Sequence, residues 1–140
     1  MQNFSLDLVQ NIGVIKGETD FDLHNDYNLE SFHYDVLSSE LTVNWQIDEG
    51  DWIQPSLPRK LTLKFHNISF LQIIKNETDD DKSDDGCLEM IGLSDYNMRS
   101  DYKSVLAKQT SANNDIILIF LNGQSIRVNA ESVELILEAS

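Results

Sequence analysis

The dipeptide Asn122-Gly123 constrains the fold of this chain more than any other feature, because it separates two strand-like segments. An apolar, β-branched run covers residues 116–121, and polar and apolar residues alternate over 125–128. A two-residue type I′ turn needs positive φ at both central positions, and Asn and Gly tolerate that conformation. The sequence therefore predicts an antiparallel hairpin over residues 116–128, and with it a β architecture.

Other segments show the same alternation of apolar and polar residues. It predicts strands at 4–8, 29–36, 41–47, 61–65, 70–74, 87–93 and 133–137. A polar turn near residues 37–40 should join two of these strands into a second hairpin. Asn67 and Ser69 interrupt the alternation, so we expect two separate strands around them.

Strands of this number and spacing, with no long helix between them, favour one class of fold. Seven to nine short strands predict a mainly β protein, an antiparallel sandwich or partly open barrel with at most one short helix. At 140 residues the chain fits a single domain spanning 1–140. Residues 94–114 are equally compatible with a strand and with a short helix, which Ser100 could cap and which would carry Tyr102, Val105 and Leu106 on one face.

The net charge of −14 is large and unevenly distributed. Residues 1–58 hold eleven acids and one base, a net charge of −10, and residues 59–140 carry the remaining −4. Such a charge repels nucleic-acid backbones and anionic membranes, so we expect neither as a partner. It attracts basic proteins and accelerates their encounter, which predicts a basic protein partner. The alternative is that the acids only support solubility.

The sequence also bears on the compartment. No segment approaches the roughly 20 apolar residues that cross a membrane. Asp7 interrupts the first apolar stretch, and no basic segment precedes it, so we expect no secretory signal. Cys87 is the single cysteine and can form no internal disulfide. These features favour a cytoplasmic protein.

The acidic loop at residues 77–86 invites a calcium interpretation, because Ca²⁺ prefers several carboxylate oxygens. If Asp81 occupied the first position of an EF-hand loop, Gly92 would stand where the bidentate Glu is required. The EF-hand is therefore excluded. A mobile, solvated loop is the expected state, with weak calcium binding of another kind left open.

The sequence indicates no catalytic or metal-binding residues and no cofactor. His24, His33 and His66 match no zinc-ligand spacing, and Cys87 has no second cysteine beside it. His66 should face solvent, on the side of its strand opposite the apolar residues. The common hydrolase, metalloprotease and phosphate-binding motifs are missing. We therefore expect a protein that is not an enzyme.

Four residues form the candidate partner-binding surface: Asp48, Glu49, Asp51 and Trp52. Trp45 lies in an alternating strand and should be buried in the core. Trp52 lies in an acidic loop, where an exposed aromatic ring is typical of an interface hot spot. The alternative is that its ring plugs the open end of the sheet.

The passage Leu61-Thr-Leu-Lys-Phe-His-Asn-Ile-Ser-Phe-Leu-Gln-Ile73, preceded by Asn28-Leu-Glu-Ser-Phe-His-Tyr-Asp35 and followed by a closing strand pair, resembles small β-rich bacterial immunity proteins. These proteins are cytosolic antidotes encoded beside polymorphic toxins. The resemblance implies a non-enzymatic protein-binding module that binds and blocks a basic toxin domain. The alternative is a small-ligand-binding or enzymatic β-barrel with a site in its mouth. The sequence leaves the oligomeric state open.

Overall fold

A computed structural model of the chain describes residues 3–75, 86–99, 114–121 and 123–138. The described residues form nine strands: β1 Ser5–Leu6, β2 Gly13–Lys16, β3 Thr19–Asp22, β4 Tyr27–Asp35, β5 Glu40–Ile47, β6 Lys60–Ile74, β7 Leu88–Asp95, β8 Asn114–Phe120 and β9 Ser125–Glu138. They also include a 3₁₀ turn at Tyr96–Met98. In this part of the chain no helix has the length and apolar character to cross a membrane. The prediction of a mainly β, antiparallel fold is confirmed.

The strands form two antiparallel sheets. The smaller sheet has the order β1-β2-β3, and the larger has the order β4-β5-β6-β9-β8-β7. The larger sheet curls into a half-barrel. Its edge strands approach each other at one end, where the Cys87 Sγ lies 3.9 Å from the Asn28 Oδ1 and Gly86 lies beside the Leu29 backbone. A partly open barrel was one of the two architectures predicted.

The core lies between the curled sheet and the three-stranded sheet. In β5 and β6, residues whose side chains point to the concave face are buried and their neighbours are more exposed, as the alternation predicted. Trp45 is fully buried, as expected, and its ring stacks with Phe120 at a centroid distance of 6.1 Å. The three-stranded sheet closes the same cluster with Phe4, Leu6, Val14 and Phe21.

The two separate strands predicted on either side of Asn67 are wrong. β6 runs without a break from Lys60 to Ile74, and the irregularity is absorbed by a register shift between Ile68 and Phe70. Asn67 has a φ of 53°, a left-handed conformation that Asn adopts more readily than most residues. An isolated polar pair therefore bends the strand as a bulge and does not end it.

The C-terminal segment shows the same kind of difference. We expected separate strands at 124–128 and 133–137, whereas β9 continues from Ser125 to Glu138. It pairs along its length with β6, and Ala130 lies opposite Ile68 at the bulge. The neighbouring strand β6 supplies hydrogen-bond partners where the alternation of apolar and polar residues in β9 is interrupted.

The hairpin between β8 and β9 is confirmed, but its turn differs from the prediction. The Phe120 N–H donates to the Gln124 carbonyl at 2.8 Å, which leaves three residues in the loop where two were predicted. The Gly123 N–H donates to the Phe120 carbonyl at 2.9 Å, and Gly123 has a φ of 96°. A three-residue hairpin loop with glycine in the left-handed region is the next commonest solution after the two-residue turns.

Two predictions fall mainly on segments outside the described residues. The acidic loop at 77–86 is described only at Gly86. Within 94–114 the structure describes the end of β7, the 3₁₀ turn and the start of β8. The helix proposed around Tyr102 lies outside the description, as does the choice between solvated and calcium-binding states of the loop.

Candidate functional site

The candidate surface is built on the connection between β5 and β6, residues 48–59. Its two ends are joined by the Ile47 N–H, which donates to the Arg59 carbonyl at 2.9 Å. The buried Tyr27 anchors the connection from β4, because its hydroxyl donates to the Pro58 carbonyl at 2.7 Å. Burial raises the pKa of Tyr27 to about 12, so the hydroxyl keeps its proton at any physiological pH. The loop is therefore held in place at its far end.

Trp52 lies on the surface of this connection. Its side chain is 61% exposed, and its Nε1 donates to the Asn25 carbonyl at 3.2 Å. The ring rests against Gly50, where an added Cβ would come within 2.0 Å of a ring carbon. Only glycine leaves room for this contact. Of the two alternatives for Trp52, the structure therefore shows the exposed ring and not the buried plug.

The three predicted acids differ in their surroundings. Asp48 is half-buried, and its carboxylate accepts hydrogen bonds from the Asn28 Nδ2 at 3.0 Å and from the Gly50 N–H at 3.0 Å. Glu49 and Asp51 are exposed. Asp48 therefore shapes the turn on which Trp52 rests, whereas the charges of Glu49 and Asp51 face solvent.

Two acids that the sequence analysis did not select complete the surface. Asp22 ends β3 and Asp26 directly precedes β4, and the Asp48 N–H donates to the Asp26 carbonyl at 2.8 Å. Burial raises the pKa of Asp26, the charges of Asp22 and Asp48 raise it further, and a hydrogen bond with Trp52 opposes the rise. Like charges are thus crowded here.

We call this set the acidic surface, and its members are Asp22, Asp26, Asp48, Glu49, Asp51 and Trp52. The pairing of Tyr27 with Ile47 brings the two segments together, because it sets the start of β4 beside the end of β5. The predicted hairpin contained this signal: acids directly before its first strand and directly after its second strand must be neighbours in space.

An open groove adjoins the acidic surface. It has a volume of about 450 Å³ and is lined by apolar residues that include Ile47, Ile53 and Leu57. Asp48, Glu49 and Arg59 also line it and give it charges of both signs. This composition suits a mixed apolar and polar segment of a partner better than a purely apolar ligand.

A second cluster of charges joins Asp115 of β8, Arg127 of β9 and Arg99, which follows the 3₁₀ turn; Asp115 and Arg127 are buried, and Arg99 is partly exposed. Asp115 accepts two hydrogen bonds from Arg99, at 2.8 and 2.9 Å, and one from the Arg127 Nε at 2.8 Å. Burial raises the pKa of Asp115, but hydrogen bonds from Arg99, Arg127 and Asn129 outweigh it and hold the pKa below its ordinary value. The Asp115 side chain is fully buried, so it cross-links β8 with β9 and with the segment that follows β7.

The histidines lie in separate places. The His24 ring is hydrogen-bonded to the Leu88 carbonyl, and His33 is exposed on β4. His66 lies on the polar face of β6 as expected, but it is half-buried between Glu40 at 3.2 Å and Glu134 at 2.9 Å. Within the described ranges, no group of three or more histidine, cysteine and acidic side chains is arranged to hold a metal ion.

Comparison of the chain with protein-family models, with curated proteins and with solved structures finds no match in any of the three.

Proposed function

We propose that this protein is a non-enzymatic, cytoplasmic protein-binding module whose acidic surface binds a basic protein. The observation that carries the proposal is the exposed ring of Trp52, fixed against Gly50 and surrounded by carboxylates. Aromatic anchors within a charged rim are typical of interface hot spots. The resemblance to immunity proteins adds that the partner is a toxin domain, which the module blocks by covering it.

The charges of the acidic surface should raise the association rate of the proposed complex. The acids attract a basic partner over a distance of about 10 Å at 0.1 M salt and about 3 Å at 1 M. Crowding of Asp22, Asp26 and Asp48 makes a cation from the partner favourable, because each carboxylate raises the energy of its neighbours. A bound cation also lowers the pKa of Asp26, so binding releases protons and strengthens as the pH rises through the range in which Asp26 ionises.

The test begins with a pull-down from the native cell, followed by association kinetics across a salt series. Glu49→Lys with Asp51→Lys should slow association at low salt by about tenfold or more. Asp48→Asn should be combined with them, because the single amide oxygen can still accept from the Gly50 N–H, a turn contact that a lysine would lose. The matched control is Glu18→Lys with Glu89→Lys and Glu30→Gln, three exposed acids elsewhere on the molecule that give the same change of charge. Equal association rates for the two sets of variants would show that the acidic surface does not attract the partner.

The contribution of Trp52 to binding is tested by measuring the dissociation rate of the complex. Trp52→Ala should speed dissociation about 30-fold if the ring is a hot spot worth about 2 kcal/mol. Tyr96→Ala is the control, because Tyr96 is also an exposed aromatic residue but belongs to the 3₁₀ turn. Equal effects of the two substitutions would contradict the assignment of Trp52 as the anchor.

The groove beside the acidic surface supports a second candidate function. Its volume of about 450 Å³ lies in the range of small-molecule sites, so a ligand-binding or enzymatic barrel is the second candidate function. Unchanged kinetics in the charge-reversed protein, together with a small molecule that perturbs the amides of Ile53 and Leu57 in nuclear magnetic resonance spectra, would favour it.

A further inference from the structure

Among the described residues, nothing lies against the outer edge of β4 as a paired strand over its second half. β4 is an edge strand of the six-stranded sheet, and no described strand pairs with its outer side. Gly86 approaches this side at Leu29, before a register shift between Leu29 and Ser31. Beyond that bulge, residues 31–35 hold neither Lys nor Pro, the residues that commonly protect an exposed edge. No described segment pairs with the outward N–H and C=O groups of this half of the strand.

Exposed apolar side chains lie along this half of β4 and in the turn that follows it. Phe32 and Tyr34 point to the concave face, because they pair with the buried Val43 and Leu41 of β5. Phe32 is half-buried and Tyr34 is exposed. In the turn that follows, Val36 and Leu37 are 74% and 100% exposed. A further strand beside β4 would cover apolar surface that the half-barrel leaves in water.

On the opposite face of the same edge, Asp35 has no ion pair with any of the described residues. Asp35 lies directly across from Glu40, a cross-strand pair of like charges. Lys64 and His66 lie 3.4 and 3.2 Å from Glu40 and can balance its charge. The Asp35 carboxylate accepts hydrogen bonds only from two backbone N–H groups of the turn, among the contacts of the described residues. A cation beside Asp35 would relieve the repulsion.

We propose that residues 31–35 of β4 bind an extended segment of another protein by strand addition, and that this segment alternates apolar with basic residues. Its apolar side chains would lie against Phe32 and Tyr34, and a basic side chain would lie beside Asp35. A second copy of the chain fits poorly, since it brings its own Asp35 and a net charge of −14. The edge is separate from the acidic surface, so either proposal can fail alone.

The test uses a synthetic peptide of about seven residues that alternates valine and lysine and has blocked termini, within the usual length of a strand. Titration of the ¹⁵N-labelled full chain should perturb the amides of residues 31–37. Asp35→Asn should weaken binding by up to about fivefold, the range of a cross-strand ion pair. The asparagine retains an oxygen that accepts the turn N–H groups, so the fold is kept. Glu18→Gln, an equal change of charge at an exposed acid outside this edge and outside the acidic surface, should have no effect.

Two further controls separate strand addition from simple attraction between charges. A peptide with the same side chains but with every backbone amide N-methylated should not bind, because it cannot pair with the edge. Leu37→Ser should weaken binding, whereas Val9→Ser should not, although Val9 is similarly exposed at 89%. Binding of the methylated peptide, perturbations confined to residues 48–52, or no binding at all would overturn the proposal. Self-association that Leu37→Ser abolishes would assign the edge to a second copy instead.

Discussion

At the scale of single residues, the described charges fall into two groups with different roles. Asp115 and Arg127 are withdrawn from water and bound to each other, and Arg127 also donates to the Ser94 hydroxyl and the Asp95 carbonyl. Glu49 and Asp51 lie in water. Buried charges make folding depend on their partners, while exposed charges act on what approaches the molecule.

Removal of the Asp115 carboxylate should therefore be costly. Asp115→Ala leaves the buried Arg127 guanidinium without its counter-charge, and we expect the free energy of unfolding to fall by about 3–5 kcal/mol. Arg99→Ala should cost less, because Arg99 is partly exposed and its loss leaves Asp115 paired with Arg127. Urea unfolding of both variants checks the order. A smaller loss for Asp115→Ala than for Arg99→Ala would contradict this account.

A second prediction at this scale concerns pH. Burial raises the pKa of Asp20 from 3.8 to about 6, and the neighbouring Asp7 adds to the rise, while hydrogen bonds lower the pKa of Asp7 itself. Protonated Asp20 favours the folded state below its unfolded pKa, and this contribution is lost as the pH rises through about 6. The thermal midpoint should therefore fall between about pH 4 and pH 7 by more in the natural protein than in Asp20→Asn.

Asp51→Asn, which removes one exposed acid, is the control for Asp20→Asn. It should follow the pH dependence of the natural protein. If both variants retain the same fall in the thermal midpoint, the carboxyl pair of Asp7 and Asp20 is not its cause.

At the scale of elements, β6 and β9 hold the larger sheet together. Both exceed the usual strand length, and they pair from Lys60–Glu138 to Ile74–Ser125. The bulge at Asn67 lets this long ladder bend, and the Asn67 Nδ2 donates to Glu131 of β9 at 2.6 Å. The curl of the half-barrel follows from such local bends in otherwise continuous pairing.

The prediction at the scale of elements concerns the turn that precedes β9. Gly123→Val should lower the free energy of unfolding by about 1 kcal/mol or more, because a β-branched residue resists the φ of 96°. Gly123→Asn should cost less, since Asn tolerates positive φ. Chemical denaturation of the two variants gives the comparison. Equal stability of the valine variant and the natural protein would show that the turn rearranges without cost.

At the scale of the whole molecule, the charge is polarised. The segment with a net charge of −10, residues 1–58, forms the three-stranded sheet with β4 and β5, while β6 to β9 belong to the segment with −4. The elements formed by residues 1–58 are therefore the more acidic ones, and they contribute to both sheets. Such a distribution orients an approaching basic protein before contact, and it also strains the fold through self-repulsion.

This self-repulsion should respond to salt. Raising NaCl from about 0.01 M to about 0.5 M shortens the Debye length several-fold and should raise the thermal midpoint at neutral pH. A variant with Glu18→Gln, Glu49→Gln and Asp51→Asn, three exposed acids of the −10 segment, should start from a higher midpoint and respond less. Equal salt responses of the two proteins would show that the effect of salt is not electrostatic.

The sequence by itself determined the strands and the mainly β class, because alternation and turn residues act over a few neighbouring positions. The hairpins of β4 with β5 and of β8 with β9 were predicted in this way. The errors at β6 and β9 have the same cause, because a local pattern shows only the immediate neighbours. Asn67 and Asn129 interrupt the alternation, but each strand continues because it stays hydrogen-bonded to its neighbouring strand. Of the acidic surface, Asp48, Glu49, Asp51 and Trp52 were selected from sequence.

The tertiary structure decided what depends on distant segments. Asp26 joins the acidic surface only because the end of β5 folds beside the start of β4, and the ring of Trp52 packs on Gly50 at the surface and not in the core. Asp115 is structural because Arg99 and Arg127 converge on it from different elements. Burial and electrostatic interaction depend on distances through space, which a local pattern of residues does not contain.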